Sequence, residues 1–357
     1  MTDTGEPCIL YGELYTKYKS EIISDIFSKT DIDTRKLVKS KANDVIIPCS
    51  GETAVDIATA RCVPYDNILL GGDLNIIRLY DCDGSFMSYQ LNGKRKYDIA
   101  KVAQGVSVVH LYGDHLKGVK TYNPCLEEQK KIVRLLSLLD ERIATQNKII
   151  EDLKKLKCAI IEKHYRQAKL HKYKICDLGV PFSVGSLSKE DLSEEGYECI
   201  LYGELFTTYG CVINEVKSHT NKIANTTLSQ KGDLLFPSST TVDAVSLISP
   251  SVIDIPNVIL GGDMFGIHID KKFNAYYLSY YINLIARKKL AIYAKGSTII
   301  HLHYKDIAKA QLLLPDLCEQ DKNAKCMMAE DAKIKVEEQL LTILEKQKQY
   351  LLRQMFI

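Results

Sequence analysis

The sequence has no run of eighteen uncharged apolar residues, so it offers no candidate membrane-spanning helix. Its first residues, MTDTGEPCIL, lack the basic start and apolar core of a secretory signal, which leaves the cytoplasm as the expected compartment. There is no C-x-x-C pair either. The eleven cysteines are scattered, and the nearest two, Cys318 and Cys326, have seven residues between them. Zinc needs four close-set ligands and a disulfide framework needs a short secreted chain, so the cysteines read as small core residues and no metal site is expected. Net charge is only +2, so any nucleic-acid argument must rest on local basic clusters. What remains is ordinary globular composition, 46% hydrophobic and 26% charged over 357 residues, enough for two cores.

The chain repeats itself. ILYGELYTKY begins at Ile9 and ILYGELFTTY at Ile200, 191 residues later. The same offset pairs Asn92 with Asn283, Gly105 with Gly296, His110 with His301, Pro124 with Pro315 and Gln129 with Gln320. DVIIPCS at Asp44 matches DLLFPSS at Asp233, and LGGD ends at Asp73 and again at Asp263, with only small changes of offset. Chance does not hold one register that far, so the protein is a tandem duplication.

Each copy runs in the same order. β-Branched runs broken by turn residues predict short strands of a compact β-rich module. A tyrosine-rich segment, GSFMSYQLNGKRKYDIAKVA or NAYYLSYYINLIARKKLAIYAKG, has the apolar spacing of a helix that ends at glycine. Then comes a proline and a long helix. From Leu126 to about His164 there is no proline or glycine, and Ile132, Leu136, Leu139, Ile143, Ile150, Leu153 and Ile160 step by four and three, with Gln146 and Lys157 filling the gaps. Such a helix is about 55–60 Å long. In the second copy, from about Leu317 to Met355, Val336, Leu340, Ile343, Gln347 and Tyr350 take the same spacing. A lone heptad helix cannot bury its seam, and two matched seams can pair. The alternatives are packing of each helix on its own module, or on a partner protein.

Three marks occur in order in the chain: YGEL-x-T-x-Y at Tyr11 and Tyr202, Gly-Ser-Thr at Gly296, and Pro-x-Leu-x-Glu-Gln at Pro124 and Pro315 running into a charged helix. With them the chain resembles the specificity subunit of type I restriction–modification systems over nearly its whole length. The resemblance implies an α+β fold: two β-rich target recognition domains, each followed by a long helix, with the helices paired as an antiparallel coiled coil. Its boundaries would be 1–124 for the first domain, 125–168 for the central helix, 169–315 for the second domain and 316–357 for the C-terminal helix. Each domain would read one half of a split DNA target, and the helices would set the unread gap. Two methyltransferase subunits would dock, and motor–nuclease restriction subunits would join them. S-adenosylmethionine, ATP and Mg2+ would belong to those partners, leaving this chain without cofactor. Copy two carries a leader from Lys172, KYKICDLGVPFSVGSLSKEDL, before its YGEL block. Met1 aligns with Leu192, so copy one is expected to lack an opening strand.

No catalytic constellation is legible. Asn123-Pro124-Cys125-Leu126 is the nearest match to the Asn/Asp-Pro-Pro-aromatic motif of adenine methyltransferases and lacks the second proline and the aromatic; a proline at a helix entry explains it. Asp316, Glu319 and Lys322 sit at the other helix entry, where acids favour the dipole. Gly71-Gly72 and Gly261-Gly262 belong to no phosphate loop. His110 and His301 fall in strands and read as structural histidines. The chain is therefore expected to be no enzyme.

For DNA, cations suit phosphates and polar side chains suit base edges. Lys94-Arg95-Lys96 and Arg287-Lys288-Lys289 follow the matched asparagines, although cations also suit a helix end. The loops CSGET (Ser50, Glu52, Thr53) and SSTTVD (Ser238, Ser239, Thr240, Thr241) match in place and differ in letters, as readers of different half-sites would. Simple polar turns share that composition. Lys17 and Tyr18 against Thr208 and Tyr209 diverge in the same way. The outer helix residues Lys130, Lys131, Arg134, Glu141, Arg142 and Lys154 suit partner docking or plain solvation. Two other readings stay open: the recognition portion of a split or single-chain methylase–nuclease, and a coiled-coil adaptor that binds no DNA.

Overall fold

The computed structural model describes residues 4–33 and 37–356. The chain divides into two compact units, Met1–Ile149 with Glu337–Ile357, and Ile150–Val336. Each unit is therefore one β-rich module plus a stretch of both long helices, rather than one module plus one helix.

In the N-terminal unit the β-branched strand Asp44–Pro48 is buried along its whole length. It lies antiparallel between Arg61–Val63 and Leu74–Ile77. Its counterpart Asp233–Pro237 lies between Ser251–Ile253 and Met264–Ile269 in a five-stranded sheet. Each strand ends on a proline, which has no amide hydrogen to continue a ladder. Past it a two-residue strand pairs elsewhere: Ser50–Gly51 with Val109–His110, and Ser239–Thr240 with Ile300–His301. A short helix follows in each unit, capped by Thr53 accepting from the Asp56 amide, or by Asp243 accepting from the Ser246 amide.

The YGEL block ends a strand and enters a helical turn. Glu6–Ile9 runs parallel to Leu69–Leu70, and Tyr197–Leu201 parallel to Ile259–Gly261. The glutamate ties the block together: Glu13 accepts from the Leu10 amide and Ser28 hydroxyl, Glu204 from the Leu201 amide and Ser218 hydroxyl. The tyrosine-rich segment of copy one is two helices, Gly84–Asn92 and Lys96–Val102, broken at Gly93 rather than one helix. A Cβ on Gly93 would come within 2.5 Å of the Leu352 carbonyl oxygen of the second long helix. Copy two has Leu284 at that place, and its helix Ala275–Tyr281 continues through a π-turn, Ile282–Ala286, into Arg287–Ala291.

The long helices are Leu126–Gln167 and Leu317–Gln354. In the N-terminal unit they run antiparallel. Leu136 packs with Leu352 in one cluster with Phe86 and Tyr89, and Gln146 donates to the Glu337 carbonyl at 3.1 Å. The C-terminal unit repeats the arrangement, with Ile161 on Met327 beside Tyr280 and Lys157 on Asp331. On the first helix Leu136, Ile150 and Leu153 are buried, while Ile132, Leu139, Ile143 and Ile160 are half-buried. The second helix requires a correction. Val336, Ile343 and Tyr350 point outward at 60–64% exposure, and of the expected set only Leu340 is half-buried. The buried face is instead Met327, Ile334, Leu344, Lys348 and Leu352. The heptad reading took the apolar residues of the wrong face, because the true seam carries charged side chains such as Lys348.

Among the described residues no helix is long and apolar enough to cross a membrane.

Candidate nucleic-acid interface

In each unit the polar loop after the central strand is held against a hairpin. The Ser50–Gly51 strand pairs with Val109–His110, and the bridge from Gln104 to His110 closes a hairpin whose tip, Val106, is 96% exposed. In the second unit Ser239–Thr240 pairs with Ile300–His301, and the bridge from Lys295 to His301 closes an exposed loop, 296–299. The basic triplet is tied to the same place. Arg287 donates to the Val245 and Ser246 carbonyls of the short helix that follows the loop. Loop, hairpin and triplet thus form one surface per unit.

Several expected contacts are corrected by burial. Tyr18 is 5% exposed and packs on Phe27, and burial pushes its phenol up to about 12. Tyr209 is half-buried, and its hydroxyl accepts from the Lys217 amide. Ser50, Ser238 and Ser239 are buried; Ser50 donates to Asp73. Burial thus encloses most of these side chains in the fold, although Ser238 borders a surface cleft. Arg287 is spent on carbonyls, and Arg95 pairs with Asp98 at 3.5 Å. Lys96 is half-buried; desolvation, then repulsion by Arg61, lowers its pKa. Lys17 lies against Glu13 at 2.7 Å. The outward-facing remainder is Glu52, Thr53, Lys94, Thr208, Thr241, Lys288 and Lys289, with Thr240 half-buried. Lys94, Lys288 and Lys289 make no ion pair among the described residues.

The structure also adds residues. His301 and His303 are both exposed, with rings stacked at 6.2 Å, so His301 is not the enclosed structural histidine its strand position suggested. His110, half-buried, stacks on the exposed Tyr112 at 6.0 Å. Beside His303, a cleft of about 620 Å3 is lined by Ser183, Asp263, Tyr304 and Lys305 among others. The 191-residue spacing of the two histidines and of Gly105 and Gly296 marked these hairpins in the sequence. Exposed rings, hydroxyls and ammonium groups on one face suit stacking, base-edge hydrogen bonds and phosphates respectively. Among the described residues no group of histidine, cysteine and acidic side chains is placed to hold a metal.

Duplicated modules, each carried on an antiparallel helix pair and each presenting a polar loop surface with free cations, define a tandem-module scaffold. Residues 169–346 match the type I restriction modification DNA specificity domain, and the chain belongs to that family. A type I restriction enzyme specificity subunit from Methanocaldococcus jannaschii is 28% identical over 155 residues, 43% of this chain. The match spans about a third of that relative's length, 34%. Among solved structures, the S subunit of the type I restriction–modification system from M. genitalium superposes with a TM-score of 0.60 at 18% identity, covering 99% of this chain and 92% of that one. A chain from a structural study of type I R-M system assembly and conformational transition gives 0.57 at 15% identity, covering 88% and 81%. These likenesses extend the family fold across both copies.

Proposed function

We propose that the chain is the DNA specificity subunit of a type I restriction–modification complex, reading one half of a bipartite duplex target with each module. The observation that carries this reading is the pair of loop surfaces. They occupy the same frame in both copies, differ in the side chains they expose, and are each flanked by free lysines. A scaffold that only bridged proteins would need the helices and not two such surfaces. The paired helices set the unread gap, and their charged outer residues, all exposed from Lys130 to Lys154, dock two methyltransferase subunits. Restriction subunits complete the complex. S-adenosylmethionine, ATP and Mg2+ act in those partners, and this chain performs no chemical step.

Selection from a random duplex pool, with the chain assembled on its methyltransferase subunits, tests this reading. Enrichment of two short sequences at one fixed separation, with binding that falls steeply with salt, is the expected result. Enrichment of a single uninterrupted site, or none, would sink it.

A further inference from the structure

The two loop surfaces share a backbone frame and differ in the side chains it leaves unpaired. In the C-terminal unit the Ser238 amide donates to the Asp263 carbonyl at 2.7 Å, and the Ser238 carbonyl accepts from the Leu302 amide at 2.8 Å. The loop therefore holds Asp263 and the turn from His303 to Lys305 at one cleft, the cavity of about 620 Å3 beside His303. Phe182 and Phe265, on paired strands, line it as well. In the N-terminal unit Cys49 makes the same two bonds, to the Asp73 carbonyl at 2.8 Å and from the Leu111 amide at 2.7 Å. There the side chains are already tied. Asp73 accepts from the Ser50 hydroxyl, Asp114 pairs with Lys117 at 2.6 Å, and Asn75 donates to the Leu111 carbonyl at 2.8 Å. Their repeat counterparts are Asp263, Lys305 and Phe265. Asp263 and Lys305 are exposed, and neither side chain has a hydrogen bond or ion pair among the described residues.

We propose that Lys305 and Asp263 are specificity-determining residues that read one G·C pair of the C-terminal half-site through the major groove, an inference that rests on the proposed DNA reading. Phosphates repel a carboxylate, so an unpaired one on such a surface gains nothing from the backbone and suits a base-edge amino group. Cytosine N4 is such a donor. The guanine paired with it presents O6 and N7, neighbouring acceptors that one ammonium contacts together. An A·T pair also carries an amino group, on adenine, but its thymine offers the ammonium a single acceptor beside a methyl group. The reversal of charge at one matched position, Lys305 against Asp114, gives the two modules different requirements within one frame.

The test is duplex selection and competition with the full chain assembled on its methyltransferase subunits, comparing the unmodified chain with Lys305→Ala, Lys305→Arg and Asp263→Ala. The unmodified chain should fix a G·C pair in one half of its two-part target. Lys305→Ala should lower discrimination at that pair about tenfold or more, with the salt slope and the other half-site unchanged. Lys305→Arg should keep the guanine preference, since a guanidinium reaches the same two acceptors. Asp263→Ala should relax the same pair while non-specific duplexes bind more tightly, because a negative charge leaves the surface that faces the phosphates. A merely structural aspartate would weaken both kinds of binding. Relaxation at an A·T pair, relaxation of different pairs by the two alanine variants, or an unchanged preference overturns the inference while the two-part target stands. So does uniform weakening by Lys305→Ala with a salt slope lower by about 1, which would make Lys305 a phosphate contact. Failure of the unmodified chain to select any two-part target overturns the proposed function, and the inference with it.

Discussion

Lys348 is buried on the second long helix with its ammonium 2.5 Å from both Glu21 and Asp140, and Asp140 also accepts the Tyr89 hydroxyl at 2.6 Å. The repeat places Lys157, Asp331 and Tyr280 in the same arrangement, at 2.5 and 2.6 Å, but with Val212 where Glu21 would stand. Burial alone would lower the Lys348 pKa; the two carboxylates outweigh it and raise it. Lys348→Ala strands two buried carboxylates, so a loss of about 3–5 kcal/mol in urea unfolding is expected. A raised lysine pKa stabilises fully below the unfolded value, about 10.4, and the contribution is lost as pH rises through the folded one. Stability should therefore drop in alkali beyond about pH 10, and the drop should be shallower in a Glu21→Gln, Asp140→Asn, Lys348→Met variant followed by the same unfolding assay. On the loop surface, Lys288→Ala with Lys289→Ala should weaken DNA binding for all sequences and reduce the salt slope by about 2. Thr241→Ala should instead change the preferred base at one position with the slope unchanged, as competition between duplex sequences would reveal.

At the scale of elements, the long helices were plain in the sequence because a 3.5-residue apolar period without glycine or proline has few other meanings. The register of the second was not. Its apolar residues lie on more than one face, and the buried face carries Asp331, Glu337 and Lys348, which a hydrophobic period cannot find. The internal repeat contained the answer: shifting Leu136, Ile143 and Leu153 by the 191-residue offset gives Met327, Ile334 and Leu344. Ile334→Ala and Leu344→Ala should each cost about 2–4 kcal/mol, while Val336→Ala and Ile343→Ala should stay within about 0.5 kcal/mol. Equal costs in denaturant melts would contradict the observed seam. Loop positions were legible from the repeat, but their burial was not. Ser50, Ser238 and Ser239 look like loop serines and are enclosed by short strand pairings that no composition signals.

For the whole molecule, the tandem architecture, both modules and the family followed from the 191-residue repeat and its three marks, because a long-range register is hard to produce by chance. Half of the candidate interface did not follow, since the exposed histidine and tyrosine rings are brought to the loops only by the hairpin closures at His110 and His301. The proposed recognition of one split target by two modules should be visible as methylation in a living host. Methylome sequencing of a host expressing this chain with its methyltransferase, beside a methyltransferase-only control, tests it most directly. New N6-methyladenine confined to one two-part motif with a fixed unread gap is the predicted result; methylation in a single uninterrupted motif, or no difference from the control, would contradict it.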